Sequence, residues 1–254
     1  MPQNSTHKFR SLLKIGILFC ILLLGLPLFL NIIIQIFFGI HINEVTADTP
    51  LAEANAIYKT NLALMMVTCS LGIFLGCCLI RYSFLGPKER LQDFLQLKNG
   101  KPYDLFFMVF SPLVFVPISI LTVIIVQHIL RIKDEPTQRA ILKQLLPFAG
   151  NYKWWALFYI GVLAPIQEEF MLRGFLMRAL QKHGWSDASV ILLQGMVFGL
   201  IHLDQNYRIF VSTSLFGIVL GWICLKRKSI FPSIMLHMGQ NLIGYLVFFR
   251  AMTP

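Results

Sequence analysis

The sequence predicts an all-α, polytopic helical membrane protein with about seven (six to eight) transmembrane helices. Three observations predict it. Of 254 residues, 56% are hydrophobic and only 13% are charged, about half the roughly 25% charge of soluble domains. Apolar runs long enough to cross the ~30 Å hydrocarbon layer, which takes about 20 residues, recur along the chain. Most of the 22 Lys and Arg residues sit in the connections between those runs, where basic residues fix the orientation of a membrane protein. So few charges cannot cover a water-soluble monomer, which argues against a soluble enzyme, a disordered chain and a fibrous repeat. The net charge of +10 comes without any RNA- or DNA-binding signature, and no nucleic-acid partner is expected.

Spans are expected over 12–40, 61–80, 105–130, 154–177, 187–203, 207–225 and 229–249. The first is too long for one straight crossing, so either Pro27 kinks it or its end lies in the interface. Lys8, Arg10 and Lys14 precede or open it as in a signal peptide. The run nevertheless outlasts the 7–15 residues of a cleavable segment and lacks an A-x-A site. An uncleaved first span with a cytoplasmic N-terminus is therefore expected. The connection 81–104 and the triplet Lys226-Arg227-Lys228 are basic and fall on that same side. Glu44, Asp48 and Glu53 against Lys59 place the first connection outside. Residues 131–153 dissent: Arg131, Lys133, Arg139, Lys143 and Lys153 sit where a count of seven puts the outer face. Either that segment lies along the membrane, or the count is off by one.

One integrated helical membrane domain is expected, without internal repeats. Its halves differ in kind. The spans within 1–130 hold almost no charge and have no assigned role, whereas 131–254 carry acids, a base and histidines at membrane depth. Cys20, Cys69, Cys77, Cys78 and Cys224 all fall in apolar runs without a C-x-x-C or zinc spacing, and read as buried, reduced, small apolar residues.

Ten of twelve acidic residues lie in connections or at span edges; the others are Glu168 and Glu169, in Ala164-Pro165-Ile166-Gln167-Glu168-Glu169-Phe170-Met171-Leu172-Arg173. A charge at the bilayer centre costs about 2.5–3.5 kcal/mol on insertion scales, so adjacent acids need a partner or a task. Arg173 follows Glu169 by four residues, ~40° around a helix, and the two can pair. Glu168 stands ~100° from Glu169 and ~140° from Arg173 and is left to face a cavity, as a general base requires. The spacing fits equally a structural ion-pair cluster where a helix end meets water.

His202 closes the fifth span in Phe198-Gly199-Leu200-Ile201-His202, and Gly195 and Gly199 form a G-x-x-x-G pair that permits close helix approach. His237 and Asn241 lie four apart on one face of the last span. They fit either donation to a developing oxyanion or interhelical bonding, worth ~0.6 kcal/mol in membranes. Gly217 and Gly221 make a second small-residue pair, expected to pack helices. A rise of ~1.5 Å per residue puts Glu168 ~10 Å, His237 ~12 Å and His202 ~22 Å from the cytosolic edge, close enough for one cavity.

Taken in order, E-E-x-x-x-R, F-x-x-x-H and H-x-x-x-N resemble the motifs of the CAAX protease and bacteriocin-processing (CPBP, or Abi) family of intramembrane endopeptidases, relatives of the Ras-converting CAAX endopeptidases. The resemblance covers about 150–250. It implies a catalytic core within 131–254, with Glu168 as the base that activates a water. It further implies His202 as helping to position or deprotonate that water, His237 and Asn241 as oxyanion stabilisers, and Glu169 and Arg173 as the orienting pair. Both metal-free and metal-dependent chemistry are discussed for the family. Glu168, His202 and His237 could hold Zn²⁺ with an open position, but H-E-x-x-H is absent and Asn241 suits an oxyanion better. No cofactor is favoured.

The expected function is an endopeptidase hydrolysing peptide bonds of membrane-associated proteins or peptides. The expected setting is a bacterial cytoplasmic membrane, with the bilayer and a membrane peptide or protein as partners and the oligomeric state open. Two other classes stand beside it: a non-enzymatic immunity, scaffold or peptide-binding membrane protein, and a transporter using the buried charges as an ion path, for which the inverted repeats are missing.

Overall fold

The computed structural model describes residues 13–21, 29–30, 32–33, 36, 51–97, 101–130, 153–203 and 207–252, and no strand occurs among them. Most of the expected first span and all of 131–152 lie outside the described residues, as does the basic stretch before residue 13. Helix α1 runs over Leu51–Ser83, the single turn α2 over Leu91–Phe94, and α3 over Asp104–Leu130 with Pro112 and Pro117 inside it. A continuous helical run, α4, covers 153–182 in five pieces. Regular turns at Lys153–Phe158, Ala164–Glu169 and Met177–Lys182 alternate with wider π turns at Tyr159–Leu163 and Phe170–Leu176. Helices α5 (Asp187–Leu200), α6 (Tyr207–Arg227) and α7 (Phe231–Met252) complete the chain.

Local sequence explains the breaks around the site. At the end of α4, Gly184 adopts φ 81°. Its N–H bonds the Gln181 carbonyl while Trp185 N–H bonds that of Leu180, the paired closure that left-handed glycine allows. Two residues later Ser186 caps α5, its hydroxyl accepting from Ser189 N–H at 3.2 Å, with Asp187 complementing the helix dipole. The same closure ends α6, where Lys228 and Ser229 N–H bond the Leu225 and Cys224 carbonyls. Ser229 then accepts from Phe231 N–H at the start of α7.

Residues 169–180 of α4 are buried on every side, the mark of a helix at the centre of a fold. Around them pack Ile80, Leu95, Phe198, Leu220 and Leu236, and Ile15, Leu18 and Phe19 join the same cluster. Phe84 and Phe94 lean on Phe175, with ring centroids 5.5 and 6.5 Å away. The outer face of α3 is also apolar: Leu105, Val109, Leu113, Leu121 and Ile129 are all exposed. A row of that extent needs a non-aqueous neighbour. Two helical stretches are long and apolar enough to cross a membrane, Lys59–Tyr82 and Ile209–Arg227, and Asp187–Leu200 is a shorter apolar helix. The described helices thus establish an all-helical fold with two membrane-capable helices, short of the seven spans the sequence leads one to expect. The fifth span also ends early: the helix stops at Leu200, and 201–203 form a turn. All five cysteines are free, with Cys69 and Cys224 buried; Cys20 departs from expectation by being exposed.

The connection after α1 is tied to the far end of α4. Lys182 Nζ donates to Glu89 at 2.7 Å, and Glu89 also accepts from Gly86 N–H. The Lys182 hydrogen bond and then that of Gly86 hold the Glu89 carboxyl below its ordinary value of 4.5. A depressed carboxylate stabilises the fold above its unfolded pKa and loses that contribution as pH falls through the folded one. Glu89→Gln is therefore expected to lower the thermal midpoint slightly at pH 7, the difference vanishing near pH 3 in paired melts; a difference that persists in acid would contradict the tie.

Candidate active site

Helix α4 supplies three of the polar groups, and its wide turns set their direction. Pro165 has no N–H to return to the preceding turn. Asn241 on α7 reaches into that turn, its Nδ2 donating to the Ile160 carbonyl at 2.9 Å. A proline and an inserted side chain are two recognised causes of a distorted helix ladder, and π turns concentrate at functional sites. Gly161 lies in the same turn, and a Cβ there would collide with Leu242. Its smallness lets α7 come close enough for Asn241 to make its bond.

The pair drawn from the i,i+4 spacing is present and deep. Arg173 Nη1 lies 2.7 Å from Glu169 Oε1, and both side chains are 0% exposed. The guanidinium has two further neighbours: Nη2 donates to the Gly217 carbonyl at 3.0 Å, and Cζ sits 5.0 Å above the Phe198 ring. Gly217 also accepts from Gln194 Nε2 at 2.7 Å. The glycines make this possible. A Cβ on Gly195 or Gly199 would strike Ile218 or Ser214 of α6, one on Gly221 would strike Gln194 of α5, and one on Gly217 would press tightly on Gly195 and Phe198 at 3.0 Å. Both small-residue pairs thus face each other at one seam.

His237 joins both glutamates. Its Nδ1 is 3.0 Å from Glu169 Oε1, the oxygen that also receives Arg173, and its Nε2 is 3.7 Å from Glu168 Oε2. With Nδ1–H donating to the buried carboxylate, the second nitrogen is turned toward Glu168. The glutamates differ in access: Glu169 is sealed, whereas the Glu168 side chain is 24% exposed. His202 stands a step away. Its Nδ1 is 2.8 Å from the Phe198 carbonyl, which leaves Nε2 as an acceptor. The Phe198 ring meets both imidazoles edge-on, with centroids 4.9 Å from His202 and 5.4 Å from His237, and Phe216 covers His237 at 5.6 Å.

The structure therefore gathers Glu168, Glu169, Arg173 and His237 into one contact network, sets His202 beside it through Phe198, and places Asn241 one turn along α7. Sequence reasoning missed Gln194. Its signal was the every-fourth-residue spacing of Gln194 and Phe198 on α5 and His202 just past its end. It also treated Gly217 as packing alone, whereas its carbonyl anchors the arginine. Among the described residues no three His, Cys, Asp or Glu side chains converge as a metal-binding group. Of the trio considered for zinc, only Glu168 and His237 come within ion-pair distance.

Comparison with known proteins gives one positive result. Residues 150–243 match the family model of the Rce1-like type II CAAX prenyl endopeptidases. No curated protein and no solved structure matches the chain. The matched stretch begins just before α4 and ends within α7, and so takes in every residue of the network above. The match supports a relationship of residues 150–243 to the CAAX protease (CPBP) family.

Proposed function

We propose that the chain is a multi-pass intramembrane endopeptidase that hydrolyses peptide bonds of membrane-associated peptides or proteins with a water activated by Glu168. The observation that carries this reading is His237 set between two unequal glutamates, one sealed and one accessible. The 3.7 Å gap from Nε2 to Glu168 is too long for a direct hydrogen bond and suits a bridging water. Glu168 takes a proton from that water as it attacks the peptide carbonyl, and returns it to the leaving amine. His202 Nε2, an acceptor, helps orient the same water. Asn241 gives one Nδ2 hydrogen to Ile160 and keeps its second for the oxyanion. With Asn241 we assign His237, whose Nε2 faces Glu168 at 3.7 Å, to the oxyanion side of the site. Glu169 and Arg173 touch no reacting atom; they hold the imidazole.

The matched family is one of prenyl endopeptidases, and a peptide carrying a lipid near its scissile bond is the substrate class we assign. The cellular setting we assign is a bacterial cytoplasmic membrane, crossed about seven times from a cytoplasmic N-terminus. Activity is taken to be metal-free. The test is the purified protein in lipid vesicles, given a farnesylated C-terminal CAAX peptide and its unmodified counterpart. Cleavage of the farnesylated peptide, undiminished by 1,10-phenanthroline, is expected. Inertness toward both peptides would remove the substrate assignment, and chelator inhibition reversed by zinc would remove the metal-free one.

A further inference from the structure

We propose that the groove between the start of α3 and the start of α7 binds an anionic phospholipid, its acyl chain in the groove and its headgroup at Lys101. The groove is lined by Leu97, Pro102, Leu105, Phe231 and Met235, with Lys101 and Asp104 as its polar residues. It lies where two basic connections meet. Arg227 Nη2 bonds Asp104 Oδ1 at 2.9 Å, and Ile230 N–H bonds the Gln96 carbonyl, so the segment before α3 and the α6–α7 turn share one edge of the bundle.

The charge at that edge is lopsided. Asp104 is 2% exposed, with its carboxylate taken by Arg227 and by Lys101 N–H. Its negative charge is thereby matched by Arg227, while Lys101, Lys226 and Lys228 are exposed and leave the rim positive. Tyr103 is half exposed, with Arg227 4.6 Å and Lys101 5.6 Å from its ring centroid. An aromatic ring flanked by cations is the residue set of a membrane–water interface, and basic pockets between helices at that level take anionic headgroups. An apolar floor with polar groups at one end fits a lipid. An extended peptide laid along the same floor would leave its amides without partners.

The experiment is native mass spectrometry of the full chain released from vesicles of equal phosphatidylglycerol and phosphatidylcholine. Retained phosphatidylglycerol is expected in excess by about fivefold for each basic residue engaged. Lys101→Glu is expected to abolish the preference, and Met235→Trp, which fills the groove, to lower retention of both lipids. Lys101→Ala, a surface change, serves as the folding-neutral variant and is expected to reduce the preference about fivefold. Equal retention by the parent, or an unchanged preference in Lys101→Ala, overturns the proposal. Glycerol phosphate added at millimolar concentration is expected not to displace the lipid; displacement would mean that a headgroup alone is bound. A raised KM for peptide cleavage in Met235→Trp with unaltered lipid content would assign the groove to substrate and also overturn it. The lipid readout stands apart from any peptidase activity.

Discussion

Glu168→Ala is expected to reduce peptide cleavage by a factor of about 10² to 10⁴, the ordinary contribution of a positioned general base, while the protein still accumulates and melts as the parent does. The two halves of that result rest on different observations. The loss follows from Glu168 being the accessible carboxylate opposite His237 Nε2. The retained stability follows from its bonding: Oε2 is buried but makes no hydrogen bond among the described residues, so truncation strands no donor. The measurement is single-turnover cleavage alongside a thermal melt in the same detergent. Parental cleavage by the purified variant would remove Glu168 from the chemistry. A collapsed melt would instead place it in the structural network with Glu169.

Arg173→Ala should behave in the opposite way. It removes the cation that holds Glu169 in a site with no exposure, and it leaves the Gly217 carbonyl with one donor fewer. Breaking a buried pair from one side typically destabilises by about 3–5 kcal/mol, which for a chain of this length is a fall in melting midpoint of roughly 10 °C. Cleavage falls as well, because the imidazole loses the carboxylate geometry that orients it. Arg173→Lys keeps the charge but not the fork that serves Glu169 and Gly217 together, and an intermediate melt is expected. The double variant Arg173→Met with Glu169→Gln is expected to regain stability over Arg173→Ala without regaining activity, since no uncompensated charge is then left inside. A parental melt for Arg173→Ala would show that the pair is not what holds α4 in place.

The contrast between these residues marks what was legible in the sequence. The Glu169–Arg173 pair is local, one helical turn, and its spacing states it outright. The glycine seam of α5 and α6 was legible for the same reason, since each G-x-x-x-G lies within one helix. The bond from His237 to Glu169 joins residues 68 apart, and no periodicity carries that. Without it, His237 reads only as an oxyanion donor, and its bond to the orienting carboxylate goes unseen. The π turn at Tyr159–Leu163 was invisible too, because it involves Pro165 together with Asn241 of another helix. The depth arithmetic set His202 well above the other two groups. In the structure it stands past the end of α5 and meets His237 through a shared phenylalanine, a geometry that a rise per residue along a straight span cannot describe.

The anchor at Gly217 has a consequence for how variation at that position is to be read. Its contribution to Arg173 is a main-chain oxygen, which every amino acid possesses. Substitution cannot delete the acceptor; it can only add atoms to a seam where a Cβ would already lie 3.0 Å from Gly195 and Phe198. A saturation scan at 217 would therefore grade variants by volume, with polarity and charge scarcely mattering, even though the atom concerned serves a fully buried charge. Electrostatics at this point in the fold is protected by sterics.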